Sequence, residues 1–156
     1  KDILAISNNL EFFYNRTGET IIQFTEVKEE GFKDFRIDLS GDNYINIQIS
    51  HAINEGYQRI KDSKNKSSMG LLNASFVHLA LVHTLSILAS NGIDEHINKR
   101  WFKVLVQVFS GRNIDIKKEL QEMSNNVDVI KIYDYTQKFM NNYFEQSIIL
   151  AGKENS

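Results

Sequence analysis

The stretch Phe35-Arg36-Ile37-Asp38-Leu39-Ser40-Gly41-Asp42-Asn43-Tyr44-Ile45-Asn46-Ile47-Gln48-Ile49-Ser50 decides the fold class of this chain. Phe35, Ile37 and Leu39 alternate with Arg36 and Asp38, and Ile45, Ile47 and Ile49 alternate with Asn46, Gln48 and Ser50. A period of two gives each run one apolar face and one wet face, because successive strand side chains point to opposite sides. Ser40-Gly41-Asp42-Asn43 between the runs is a cluster of turn-forming residues. The spacing predicts a β-hairpin.

Upstream, Leu10, Phe12 and Tyr14 alternate, Arg16-Thr17-Gly18-Glu19 turns, and Ile21 to Val27 is rich in β-formers. That pattern predicts a second hairpin, joined to the first through Glu29-Glu30-Gly31. A sheet this small needs helices on its apolar face to be stable.

Downstream, the period changes to that of helices. His51 to Lys61 reads as a short helix leaving the sheet, and the polar run Lys61 to Ser68 as a joint. Met69 to Ser90 carries Leu71, Leu72, Phe76, Leu79, Val82, Leu85, Ile87 and Leu88 and stops at Asn91-Gly92. Asp94 is placed to cap the next helix, with Ile97, Trp101, Leu105 and Val108 at helical spacing. Asp115 caps a shorter one with Ile116, Leu120 and Met123, and a last helix is expected from Asp128 to Leu150. The expected class is α+β: an N-terminal antiparallel sheet of about four strands in two hairpins, then a bundle of about four to five helices. Residues 1–156 form one domain, 1–60 mainly strands and 69–156 helical.

Composition bounds the function. The chain is 42% hydrophobic and 24% charged, with ten Phe, six Tyr and one Trp, which excludes disorder. A formal charge of −2 supplies no global basic field for nucleic acid or an anionic membrane. The absence of cysteine excludes disulfides, thiolate metal sites and Cys nucleophiles, and suits a reducing, cytoplasmic setting. Proline is absent against an average of roughly 5%, while Asn, Ile and Lys abound, which reads as an AT-rich coding sequence from a low-GC bacterium or its phage. The chain begins at Lys1, which favours a piece of a longer protein.

The Met69–Ser90 segment has no charge between Lys66 and Asp94 and is long enough to span a bilayer. Asn73, Ser75, His78, His83, Thr84 and Ser86 are spread through it, and each polar group in hydrocarbon costs energy unless paired. It is therefore read as a core helix buried on nearly all sides, with no membrane partner.

The four histidines come first among groups that carry chemistry. His78 and His83 are five apart, about 140° around a helix, so they do not share a face. His51, where the best strand ends, is the better address; with His78 and His83 it makes the candidate polar site. His96 is expected to be solvated. Glu26, Glu29 and Glu30 flank one strand end, and Asp38 and Asp42 the hairpin turn. A restriction-type nuclease core needs an acid and a Lys on the strand after Asp38, and Ile45-Asn46-Ile47-Gln48 supplies neither. No phosphate-binding glycine loop and no nucleophile elbow occurs. No catalytic residue, metal or cofactor is assigned. Lys99, Arg100, Trp101 and Lys103 set cations beside an aromatic, a pattern that nucleic acid can use but that does not by itself indicate it. With Tyr143 and Phe144 of the aromatic last helix they form the expected partner surface.

Leu71-Leu72-Asn73-Ala74-Ser75, then Lys99-Arg100-Trp101-Phe102, then Asn126-Val127-Asp128-Val129 follow in an order that resembles the C-terminal helical region of uncharacterised bacterial phage-defence or mobile-element proteins. Ile49-Ser50-His51 matches the histidine-ended strand that precedes those helices. The resemblance spans residues 44–150 and departs at Ala52, where such families carry proline. It implies an accessory domain beside a catalytic one. The expected function is a non-catalytic protein-interaction or oligomerisation domain. The alternatives are a metal-dependent or nucleic-acid-processing enzyme subunit with a site near His51, and a small-molecule sensor.

Overall fold

A computed structural model of the chain describes residues 3–4, 20–63, 66–141 and 143–154. It is α+β, a mixed sheet followed by six helices among the described residues. The three full strands are β2 (Ile22–Glu26), β3 (Phe35–Asp38) and β4 (Ile45–Ile49), and a two-residue strand β1 (Ile3–Leu4) pairs antiparallel to β2. The order across the sheet is β1-β2-β4-β3. The hairpin read from the central stretch is present: Phe35 faces Ile49 and Ile37 faces Ile47 in antiparallel register.

The expectation of a wholly antiparallel sheet is corrected. β2 and β4 run parallel, with Ile22 beside Ile45 and Glu26 beside Ile49. The reason is the connection after β2. It carries the chain past the central position to the far edge, where β3 forms, and the hairpin then returns β4 alongside β2. Gly31 sits in this connection with φ +84°, which costs glycine little and other residues more. Ile45 N–H donates to Ile21 O at one end of the parallel pair, and Val27 N–H to Ile49 O at the other. The strand expected at Leu10 to Tyr14 and its turn lie outside the described residues.

α1 (His51–Asp62) starts directly from β4, capped by Ser50, whose hydroxyl accepts from Ile53 N–H. α2 (Lys66–Asn91) is the axis of the domain and packs against the sheet, α1, α4, α5 and α6. Phe76 meets Phe24 and Phe35 edge-on, at ring-centre distances of 5.2 and 5.6 Å, which locks helix to sheet. Each fully buried large side chain here, such as Phe24, Ile47 or Phe109, contributes about 1.5–3 kcal/mol of transfer free energy. Four polar side chains of α2 are satisfied internally. Asn73 accepts from Tyr57 Oη, and the Ser75, Thr84 and Ser86 hydroxyls donate to carbonyls one turn back. Ser68–Asn91 has the length and apolarity to cross a membrane, with mean hydropathy 1.7, and 44% of that window is buried in the fold. Burial is less complete than expected, because Leu79 and His83 face outward.

Two helix boundaries also change. The helix expected from Asp94 starts later, as α3 (Arg100–Ser110), because residues 94–98 form turns in which His96 N–H donates to Ile93 O and Lys99 N–H to His96 O. α4 (Ile116–Glu122) is capped by Asp115, as read from the sequence. The single terminal helix is two, α5 (Val129–Met140), capped by Asp128, and α6 (Tyr143–Glu154). They break at Asn141, which takes the left-handed conformation (φ 49°, ψ 55°) that Asn tolerates at helix ends.

Candidate functional site

Parallel pairing brings the carboxyl ends of β2 and β4 side by side, and α1 begins at that same edge. Ligands of open sheets with parallel strands bind characteristically outside such strand ends. Glu26 closes β2, and its side chain is only 3% exposed. His51 follows β4 by two residues, and its imidazole is 70% exposed. Between them runs a hydrogen bond of 2.8 Å from His51 Nδ1 to Glu26 Oε1. The same carboxylate oxygen accepts from Asn54 Nδ2 at 3.0 Å. Asn54 is itself tied to Gln58 one turn on.

The electrostatics follow from these contacts. The Asn54 hydrogen bond, then the His51 hydrogen bond, hold the Glu26 carboxyl below its ordinary pKa despite burial. An ionised Glu26 can only accept, so the proton on this bond belongs to Nδ1. The ring is thereby fixed in one orientation and presents Nε2 outward, 3.6 Å from Glu55 Oε1. A buried carboxylate orienting an exposed imidazole is an arrangement that enzymes and metal sites both use.

The other histidines lie elsewhere. His78 stacks on Tyr133 of α5 at 6.0 Å and lies 3.1 Å from Gln137 Nε2, and partial burial holds its pKa below the ordinary value. His83 is exposed on α2. His96 is half-buried rather than solvated. It packs on Trp101 at 5.3 Å, and its Nδ1 is buried with no hydrogen-bond partner among the described residues. No group of three or more His, Asp or Glu suited to a metal ion occurs among the described residues.

The basic run at the start of α3 is turned inward except at Lys103. Lys99 Nζ donates to Leu39 O at 2.7 Å, Arg100 Nη1 to Asn43 O at 2.8 Å and to Thr20 O at 3.2 Å, and Trp101 Nε1 to Gly41 O at 2.9 Å. Trp101 is fully buried, and Arg100 also lies over the Tyr44 ring. These three side chains hold the β3–β4 turn, and Lys103 is the exposed member of the run. Tyr143 is buried at the start of α6, and the side chain of Phe144 lies outside the described residues.

A different surface is apolar. Ile132, Tyr135, Thr136, Phe139 and Met140 turn the inner face of α5 into the core. Its outer face carries Val129, Ile130 and Tyr133, with Ile130 82% exposed. Spacings of three and four residues make these neighbours on the helix surface. Sequence reading missed this face because the helix was judged by its aromatic content rather than by which apolar residues its inner stripe leaves over. It also missed Asn54 and Glu55, although the i, i+4 spacing of His51 and Glu55 was visible. No family model, curated protein or solved structure matches the chain.

Proposed function

We propose that this chain is a non-catalytic oligomerisation domain that self-associates through the outer face of α5. The observation that carries the reading is the cluster Val129, Ile130 and Tyr133 on a helix whose inner stripe is already packed. Clustered exposed apolar residues mark association sites, whereas single ones do not. Aromatic side chains such as Tyr133 are enriched at such interfaces. The resemblance of residues 44–150 to helical regions of phage-defence and mobile-element proteins supports placing the domain beside a catalytic one in a larger cytoplasmic bacterial or phage protein.

Sedimentation velocity over a wide concentration range tests this. The wild-type chain is expected to shift from monomer toward dimer as concentration rises, and Ile130→Asp to remain monomeric with unchanged circular dichroism. A wild-type chain that stays monomeric throughout, or an Ile130→Asp chain that associates equally well, overturns the reading. A second reading, a ligand site at the carboxyl ends of β2 and β4, is favoured by the Glu26–His51 pair.

A further inference from the structure

The Glu26–His51–Glu55 arrangement has a geometry that the oligomerisation reading leaves unused. His51 and Glu55 are one turn apart on the first turns of α1, so their side chains rise on the same face. Both are exposed, at 70% and 54%. Glu26, beneath them, accepts a hydrogen bond from Nδ1–H and so turns Nε2 away from the buried carboxylate. Its own orientation is fixed by Asn54. Metal-binding imidazoles are held in this way: one ring nitrogen donates to a carboxylate, which fixes the tautomer and raises the basicity of the other.

The distance across the pair fits an ion. Zinc binds imidazole nitrogen and carboxylate oxygen at about 2.0–2.2 Å, so two such ligands at a tetrahedral angle stand about 3.4 Å apart. Nε2 of His51 and Oε1 of Glu55 are 3.6 Å apart. A nitrogen donor with one carboxylate oxygen suits borderline divalent ions such as Zn2+, Ni2+ and Cu2+ rather than Ca2+ or Mg2+, which prefer all-oxygen shells.

We propose that His51 Nε2 and Glu55 form an open, two-ligand site for a divalent transition-metal ion, with Glu26 as the positioning residue that orients the imidazole. Two protein ligands leave the remaining coordination positions to water or to an incoming anionic or carbonyl ligand. The proposal is independent of association through α5.

Calorimetric titration of the untagged chain with Zn2+ and Ni2+ near neutral pH, paired with amide NMR spectra on adding Ni2+, tests it. Saturable one-to-one binding is expected, with the strongest broadening at amides of residues 50–56. His51→Ala and Glu55→Ala, both surface changes, should each weaken binding about tenfold or more. Glu26→Gln keeps the acceptor but removes the charge, and should weaken binding about tenfold while circular dichroism stays unchanged. Ca2+ and Mg2+ should not compete at equal concentration. Absence of saturable binding overturns the proposal. So does binding that survives His51→Ala, or broadening centred on His78, His83 or His96, either of which shows an adventitious ion only.

Discussion

The indole N–H of Trp101 donates to the carbonyl of Gly41 at 2.9 Å across 60 residues of sequence, and this bond fastens the start of α3 to the tip of the β3–β4 hairpin. Turn carbonyls have no strand partner, so the fold must supply donors for those it covers. Lys99 and Arg100 supply the neighbouring ones. Trp101→Phe keeps most of the ring volume and removes the donor. It is expected to cost about 1–3 kcal/mol, with Trp101→Ala costing about 3–5 kcal/mol. Urea titration followed by circular dichroism measures both. Trp101 is also the sole tryptophan and is fully buried, so its fluorescence should shift to the red in the same transition that melts the helices.

Asn141 separates α5 from α6 in a left-handed conformation that most side chains resist. Asn141→Ala is expected to lower stability by about 1 kcal/mol, and Asn141→Gly to leave it within a few tenths. Thermal unfolding of the two variants side by side checks this. A stabilising alanine would mean that the helices run on as one.

The two faces of α5 should respond in opposite ways. Ile132 is fully buried, and Ile132→Ala is expected to cost about 2–5 kcal/mol. Ile130→Ala should change monomer stability by no more than about 0.5 kcal/mol, because most of that side chain already meets water. Chemical denaturation at a concentration low enough to exclude association provides the comparison.

Alkaline pH should unfold the domain through its buried phenols. Burial pushes the Tyr143 hydroxyl up to about 12, and burial also raises Tyr57 and Tyr135, the latter further raised by its hydrogen bond to Glu119. Above the ordinary value near 10, the unfolded chain loses these protons while the folded chain keeps them. The native state then binds more protons than the unfolded one, so stability falls as pH rises. For Tyr143 the contribution is complete below pH 10 and is lost by about pH 12, with a slope of about 1.4 kcal/mol per pH unit. Denaturation midpoints should hold level from pH 9 to about 10 and fall from there to pH 12, and the fall should be shallower in Tyr143→Phe.

The hairpin was legible because both its signals are local: a period of two on each side and a turn cluster between. Helices α1, α2 and α4 were legible from equally local patterns, and Asp115 caps α4 where the sequence placed a cap, whereas the caps at Ser50 and Asp128 were not read. The parallel pairing of β2 with β4 was not, since nothing in a strand's own alternation states which way its neighbour runs. The site went with it. Glu26 and His51 were each marked in the sequence, but only the register that sets Glu26 beside Ile49 puts them at one edge. Had β2 paired antiparallel in that place, its carboxyl end would lie at the opposite edge from His51. The inward use of Lys99 and Arg100 was equally hidden. A cation that reaches a carbonyl some 60 residues away is indistinguishable, in sequence, from one that faces solvent.

The placement of β4 between β2 and β3 imposes an order on assembly. The β3–β4 turn closes a loop of a few residues, so that hairpin can form early and with little entropic penalty. Docking β2 against it closes the much longer path through the intervening connection and hairpin, and gains from that closure only once β4 has been presented. β4 should therefore hold the slowest-exchanging amides of the domain, paired on both sides from the moment the nucleus is complete.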